Sequence, residues 1–428
     1  MRTHFVADLD SSMEGREVTI SGWVHEVREL GSMSFLLLRD MTGIVQVIGK
    51  KGEASEDTLK GMSIPKESVV RIVGRIKASP NAKGGFEIVI KSIENLNPLS
   101  IQIPFEITGK VPVEIDTRLN NRYVDLRRPQ TLAIFKIQST LSTTFLDSLR
   151  KQGFIHIRTP TIIAEASEGG SDLFPVAYFE KSAYLAQSPQ LYKQLSVIGG
   201  IEKVVMEVPV FRAEKSNTTY HLTESNQMDI EMAFADADAV ILVLKKVFKD
   251  MIRAVIKNNQ KEIKLLGLKL EVPKIKIVEY NRVIEDLKKK GYQIEFGHDF
   301  SKDHESEIGS MYGEAVIIRR FPTALRAFYS MPCKDKPELT ESFDFIYRGL
   351  EILSGAQRIH KPELLIEALK KKGMNPNGFE FYINAFRCGA PPHAGWSIGI
   401  ERLTMKIVDA QNIRECALFP RDRKRLTP

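Results

Sequence analysis

Two neighbouring segments, Phe211-Arg212-Ala213-Glu214 and Met228-Asp229-Ile230-Glu231-Met232, alternate charged and apolar residues without a break. Side chains two residues apart share one face of a strand. A hairpin closing through 215–225 would therefore align one cation and three carboxylates on one side and put the apolar residues on the other. Four charges on one sheet face resist burial unless something charged compensates them. Such a face fits the floor of an enzyme site whose ligand is charged at both ends, such as an amino acid with a nucleotide. It also fits an ion-pair ladder at the surface.

With 428 residues and 43% hydrophobic content, the chain exceeds one core and predicts two or three domains. The formal net charge of +7 alongside 54 acidic residues is a moderate basic bias, compatible with a polyanionic partner. Cys333, Cys388 and Cys416 lie far apart, with neither metal-ligand nor disulfide spacing, and read as buried or inert thiols in a reducing cytoplasm. No apolar run approaches the ~20 residues that span a bilayer, and Asp8, Asp10 and Glu14 argue against a signal peptide. The expectation is a soluble cytoplasmic protein with no membrane association.

Residues 17–93 read as five short strands, 17–27, 35–39, 43–48, 69–76 and 86–93, separated by turn residues. In the last two, Val70, Ile72 and Ile76 oppose Arg71 and Arg75, while Phe86, Ile88 and Ile90 oppose Glu87 and Lys91. Five such strands suit a small barrel of the oligonucleotide-binding kind, or a plain structural barrel. Pro98, Pro104 and Pro112 mark a linker. Ile137, Leu141, Phe145 and Leu149 at helical spacing predict a helix over 132–152, and 239–256 predicts another. The remainder mixes strands and helices without a regular βαβ repeat. The fold class is therefore α+β: a five-stranded N-terminal barrel at 1–104, a hinge at 105–130, and a catalytic domain at 131–428 with a mainly antiparallel sheet flanked by helices.

Gly153-Phe154-Ile155-His156-Ile157-Arg158-Thr159-Pro160, Val210-Phe211-Arg212-Ala213-Glu214 with His221-Leu222-Thr223-Glu224, and Gly399-Ile400-Glu401-Arg402-Leu403 resemble, in order, the three signature motifs of class II aminoacyl-tRNA synthetases. Glu168-Gly169-Gly170-Ser171, Gln187-Ser188-Pro189-Gln190-Leu191-Tyr192-Lys193 and Ser354-Gly355-Ala356-Gln357-Arg358 are similar to the archaeal and eukaryotic-type aspartyl-tRNA synthetases. The resemblance runs from the barrel to Leu418-Phe419-Pro420-Arg421-Asp422. It implies an OB-fold anticodon domain, a class II catalytic domain, and a homodimer whose first motif builds the interface.

The resemblance implies ATP and L-aspartate as substrates, an aspartyl-adenylate intermediate, and no protein nucleophile. Arg212 would hold the α-phosphate and the reacting carboxylate, since its planar fork donates to two oxygens at once. Glu214 would accept from adenine, Arg402 at a helix start would clamp the γ-phosphate, and His221 would reach phosphate or base. Ala213, Tyr220, Leu222, Glu351, Gly399, Ile400 and Glu401 complete the nucleotide site, and Ser225 stands where an aromatic is frequent in the family. Glu351 and Ser354, with Asp344 as a further carboxylate, would hold Mg²⁺. Lys193 and Arg358 would bind the aspartate side chain, and Glu168, Gln190, Asp229 and Glu231 are candidates for its ammonium. Leu191, Tyr192, Arg212 and Ser354 are expected beside the amino acid, under a lid at 168–170.

Within the barrel, Arg28, Phe35, Gln46 and Glu87 match positions that grip the central anticodon base of tRNA(Asp). His25 and Lys83 match positions that govern discrimination between tRNA(Asp) and tRNA(Asn). The pair is mixed by family pattern, and His25 in place of a bulky aromatic leans towards an enzyme that also charges tRNA(Asn) with aspartate. The alternatives are a strictly discriminating aspartate enzyme, an asparaginyl-tRNA synthetase, against which Arg358 speaks, and a non-catalytic RNA-binding paralogue, against which Arg212, Glu351 and Arg402 speak.

Overall fold

The computed structural model describes residues 1–82, 84–164, 172–215 and 217–428. The chain forms two compact units, Met1–Pro104 and Phe105–Pro428. Among the described residues, no helix is long and apolar enough to cross a membrane.

The first unit is a closed barrel of β1 (Glu17–Leu30), β2 (Met33–Arg39), β3 (Ile44–Lys50), β4 (Val69–Ala78) and β5 (Phe86–Asn97), in the order β1-β2-β3-β5-β4. Strand alternation fills it: Val18, Ile20 and Val24 on β1 and Leu36 and Leu38 on β2 are buried, while Thr19, Ser21, Trp23, Phe35 and Leu37 between them are only partly buried. The strands run longer than the sequence pattern suggests because pairing continues past the apolar stretches, as in Val69↔Asn97 between β4 and β5.

The second unit carries β6 (Ile155–His156), a small sheet of β7 (Ile162–Ile163), β8 (Pro175–Tyr178) and β9 (Lys181–Leu185), then β10 (Lys203–Phe211), β11 (Glu224–Ala233), β12 (Lys276–Glu279), β13 (Ala315–Arg319), β14 (Ser342–Tyr347), β15 (Leu350–Gln357) and β16 (His393–Gly399). The main sheet has the order β12-β13-β14-β15-β16-β11-β10-β6, antiparallel except at its two edges. Helices Pro129–Arg150 and Ala237–Asn258 pack on one face, with Phe145 and Phe248 fully buried against Trp396 and Phe345.

Three local expectations change. The stretch 105–130 is no free hinge: Arg122 is fully buried, pairs with Asp125 and donates to the carbonyls of Glu415, Ala417 and Leu418, so this segment packs into the second unit. The segment 343–354, whose apolar residues suggest one buried strand, forms two, because Arg348 (φ 48°) and Gly349 (φ 69°) make the left-handed pair that closes a tight hairpin. Arg212-Ala213-Glu214 lies just beyond the end of β10. Cys388 is exposed, whereas Cys333 and Cys416 are buried.

Candidate active site

A cavity of about 330 Å³ opens over β11, β15 and β16, lined among others by Gln190, Lys193, Arg212, Glu214, Asp229, Glu351, Ser354, Arg358 and Arg402. These residues span more than 200 positions of sequence and come from strands, two helices and loops. The three central strands bring them together.

At its inner end, helix Gln190–Ile198 presents Gln190 and Lys193 on one side, one turn apart. Lys193 Nζ meets Asp229 Oδ1 at 2.7 Å and Glu231 Oε2 at 3.5 Å, and Arg358 donates from Nε and Nη2 to the two oxygens of Glu231 at 2.9 and 3.1 Å. Both cations are buried, and they converge on one pocket. Ser397 Oγ donates to Asp229 Oδ2 at 2.8 Å. Burial opposes ionisation of Glu231, yet Arg358 and Lys193 hold its carboxyl below the usual range. Its place depends on a missing side chain: a Cβ on Gly395 would lie 2.1 Å from Glu231 Oε2. Glu231 is committed to the cations and, unlike Asp229, does not line the cavity, so the geometry sets it behind Lys193 and Arg358 instead of at a ligand ammonium, where the sequence reading had it.

At the outer end, Arg212 and Glu214 begin the 212–223 connection between β10 and β11, and Arg212 N donates to Thr223 O. His221 Nε2 lies 3.7 Å from Glu214, while its Nδ1 meets Thr218 Oγ1 at 2.6 Å. Burial, opposed by Glu214 but reinforced by Arg402, Lys302 and Arg212, holds His221 below its ordinary range. Arg414 ties this loop down, donating to Thr218 O at 2.9 Å, to Asn217 Oδ1 and to Asp422. Arg402 sits in the first turn of helix Ile400–Ile407, whose N-cap is Gly399, and reaches Glu351 O at 3.3 Å. Glu401 lines the cavity, but its carboxylate accepts from Asn226 N and Nδ2 and so staples the helix to β11; burial raises its pKa.

Between the two ends, Ser354 Oγ donates to Glu351 Oε1 at 2.9 Å, and Asp344 is the direct partner of Ser354 across β14 and β15. These hard oxygen donors suit a magnesium-like cation. Arg326, which the sequence reading missed, grips both oxygens of Asp344, one at 2.9 Å. Burial nevertheless pushes the Asp344 carboxyl up to about 6, and Glu351 adds to the rise. Asp344 is thus partly spent on Arg326 and sits behind the other two. Glu305, also missed, accepts from Glu351 N at 2.7 Å and fixes that residue's backbone.

Leu191 packs in an apolar cluster with Phe328 and Ile359, and Tyr192 lies off the cavity-facing side, since a helix that points 190 and 193 inward turns 191 and 192 away. Ala213 and Ile400 do not line the cavity either; Ile400 belongs to the main core. Tyr220, Leu222 and Ser225 do line it. Glu168, the lid at 168–170 and Lys83 lie outside the described residues.

In the barrel, Arg28 faces Phe35 across β1 and β2, Leu37 faces Gln46 across β2 and β3, and Gln46 Nε2 donates to Glu87 Oε2 at 3.0 Å. Phe35 is half-buried, outside the barrel core, so one outer face carries a ring, a cation and an amide-carboxylate pair. His25 Nδ1 meets Arg39 Nη1 at 3.1 Å, and Arg39 is itself held by both oxygens of buried Glu67. Burial and then Arg39 lower the His25 pKa.

The family described as tRNA synthetases class II (D, K and N) matches residues 114–423, and that described as OB-fold nucleic acid binding domain matches residues 18–96. The Aspartate--tRNA(Asp/Asn) ligase of Methanocaldococcus jannaschii is 44% identical over 100% of this chain and 98% of its own length. The Aspartate--tRNA(Asp) ligase of Pyrococcus furiosus is also 44% identical, over all of both chains. Among solved structures, asparaginyl-tRNA synthetase from Pyrococcus horikoshii complexed with asparaginyl-adenylate superposes with a TM-score of 0.94 at 31% identity, covering 99% of each chain. Aspartyl tRNA synthetase from Entamoeba histolytica gives 0.88 at 35% identity, covering 99% of this chain and 92% of that one.

Proposed function

Because this chain belongs to the class II aminoacyl-tRNA synthetases of the aspartate, lysine and asparagine group, we propose that its cavity activates L-aspartate with ATP and that the enzyme then passes the aspartyl group to tRNA. The observation that carries the choice of amino acid is the convergence of Lys193 and Arg358 on one buried pocket. Glu231 takes Nε and Nη2 of Arg358, and Nη1 is the nitrogen we assign to the substrate. A side-chain carboxylate accepts there, whereas an asparagine amide would turn its own donors against donors.

The α-carboxylate of aspartate attacks the α-phosphorus and pyrophosphate leaves from the opposite side, so the protein positions and neutralises rather than supplying a nucleophile. Arg212 holds the α-phosphate against that carboxylate. Arg402, with the helix start behind it, takes the far end of the triphosphate. Glu214 accepts from the adenine amino group, and His221, on the same loop, reaches phosphate or base. Gln190 and Asp229 receive the ammonium. Class II enzymes use ATP with a divalent metal; Glu351 and Ser354, with Asp344 behind them, would hold Mg²⁺, which neutralises charge on the phosphates.

The outer face with Phe35, Arg28, Gln46 and Glu87 reads the anticodon by stacking and edge contacts. The edge strand β6, where Ile155 is 55% exposed, is where a second copy completes a homodimer. His25, tied to Arg39 and smaller than a tryptophan, favours acceptance of tRNA(Asn) as well as tRNA(Asp). Charging of both purified transcripts with labelled aspartate tests this: comparable rates support the relaxed reading, and a background rate on tRNA(Asn) overturns it.

A further inference from the structure

Behind Gln190 lies a closed chain of hydrogen bonds that the reaction as described does not use. His393 is fully buried, and its Nδ1 lies 2.8 Å from Pro391 O, while its Nε2 lies 2.8 Å from Gln194 Nε2. Gln194, also fully buried, offers Oε1 to Gln190 Nε2 at 2.8 Å and to the hydroxyl of Tyr382 at 2.8 Å.

The direction of every bond follows from the first. A carbonyl oxygen only accepts, so Nδ1 of His393 carries the proton, and in the neutral ring Nε2 must accept. Gln194 therefore turns its NH₂ to His393 and its carbonyl to Gln190. Gln190 must answer with its own NH₂. With its NH₂ turned to Gln194, the Gln190 amide holds its carbonyl oxygen on the other side, for the cavity that Gln190 lines. Flipping any one amide in this chain would set donor against donor or acceptor against acceptor in a buried site, which is costly.

We infer that His393 is a positioning residue for aspartate: through Gln194 it fixes the Gln190 amide so that an acceptor, and not a donor, meets the substrate ammonium. The inference rests on the reading of Gln190 as an ammonium partner and deepens it. Burial keeps the imidazole in the neutral form that this arrangement needs.

Succinate, which keeps both carboxylates of aspartate and lacks the ammonium, separates this role from general support of the pocket. In the full-length enzyme, His393→Leu is expected to raise the KM for aspartate about tenfold in pyrophosphate exchange, one charge-assisted hydrogen bond's worth. Succinate inhibition and the KM for ATP should move less than twofold. Gln190→Met should do the same, and His393→Gln, whose carbonyl oxygen can meet Gln194, should recover most of the loss. Gln194→Met carries the same expectation should His393→Leu fail to fold. If Gln190→Met weakens aspartate selectively while His393→Leu and Gln194→Met leave the ratio of aspartate to succinate affinity at the wild-type value, the network does not set the amide and the inference falls. Equal weakening of aspartate and succinate also overturns it, reducing His393 to packing. If Gln190→Met itself leaves that ratio unchanged, Gln190 does not hold the ammonium, and the site reading fails along with the inference.

Discussion

Glu231 binds Arg358 through both carboxylate oxygens, at 2.9 and 3.1 Å, in a pocket where Arg358 is only 4% exposed. The pair keeps a guanidinium buried and aimed before any substrate arrives, so selectivity for an acidic side chain is built into the resting fold. Arg358→Leu should lower aspartate-dependent exchange by about two to three orders of magnitude, because it removes the substrate's partner and leaves buried Glu231 with only Lys193, at 3.5 Å, as a counter-charge. Nucleotide binding, read by titration with ATP, should persist. The double variant Glu231→Leu with Arg358→Leu should regain thermal stability and stay inactive, which separates the two effects of the single change.

Arg414 connects the nucleotide loop at Asn217 and Thr218 to Asp422 near the end of the chain. The same loop is held by Ile413 N to Thr219 O and by Thr223 N to Arg421 O. Arg414→Met should raise the KM for ATP about five- to tenfold and leave that for aspartate within twofold, as steady-state exchange kinetics would show. An equal rise in both would mean that the tail supports the whole site.

Phe35 stands outside the barrel core, opposite Arg28. Phe35→Ala should weaken tRNA charging by the ~1–3 kcal/mol of one base stack and leave pyrophosphate exchange untouched. Equal loss in both assays would assign Phe35 to folding instead.

The acid side of the stability profile should carry a contribution from His393. It faces Glu231 on β11, Arg358 after β15 and His360, and burial lowers its pKa in the fold below the ~6.5 of an unfolded chain. Between those two values the unfolded state binds the extra proton, so stability is fully present above about pH 6.5 and is lost as pH falls below it, by at most ~1.4 kcal/mol per pH unit. Thermal melts from pH 8 to pH 5 should show that decline, and His393→Leu should flatten it.

Much of this was legible in the chain. Strand alternation found the barrel, and helical spacing found both long helices, because each pattern reports burial locally. Lys193 and Arg358 were paired through resemblance, and the structure brings them together. What the sequence hid was mostly contact at a distance: Gln194 meets His393 199 positions away, and Arg326 meets Asp344 from a segment without periodicity. Leu191 and Tyr192 were misplaced for a different reason, since motif adjacency was followed where helical geometry turns them away from Gln190 and Lys193. Glu231 looked like a ligand group because alternation reveals which face a residue shares, and says nothing of how deep it sits.

The most direct test is ATP–pyrophosphate exchange by the purified enzyme with aspartate, asparagine and lysine in parallel. Aspartate alone should support exchange, with asparagine at least a hundredfold weaker. Exchange driven by asparagine or lysine as well as by aspartate would contradict the role given to Lys193 and Arg358.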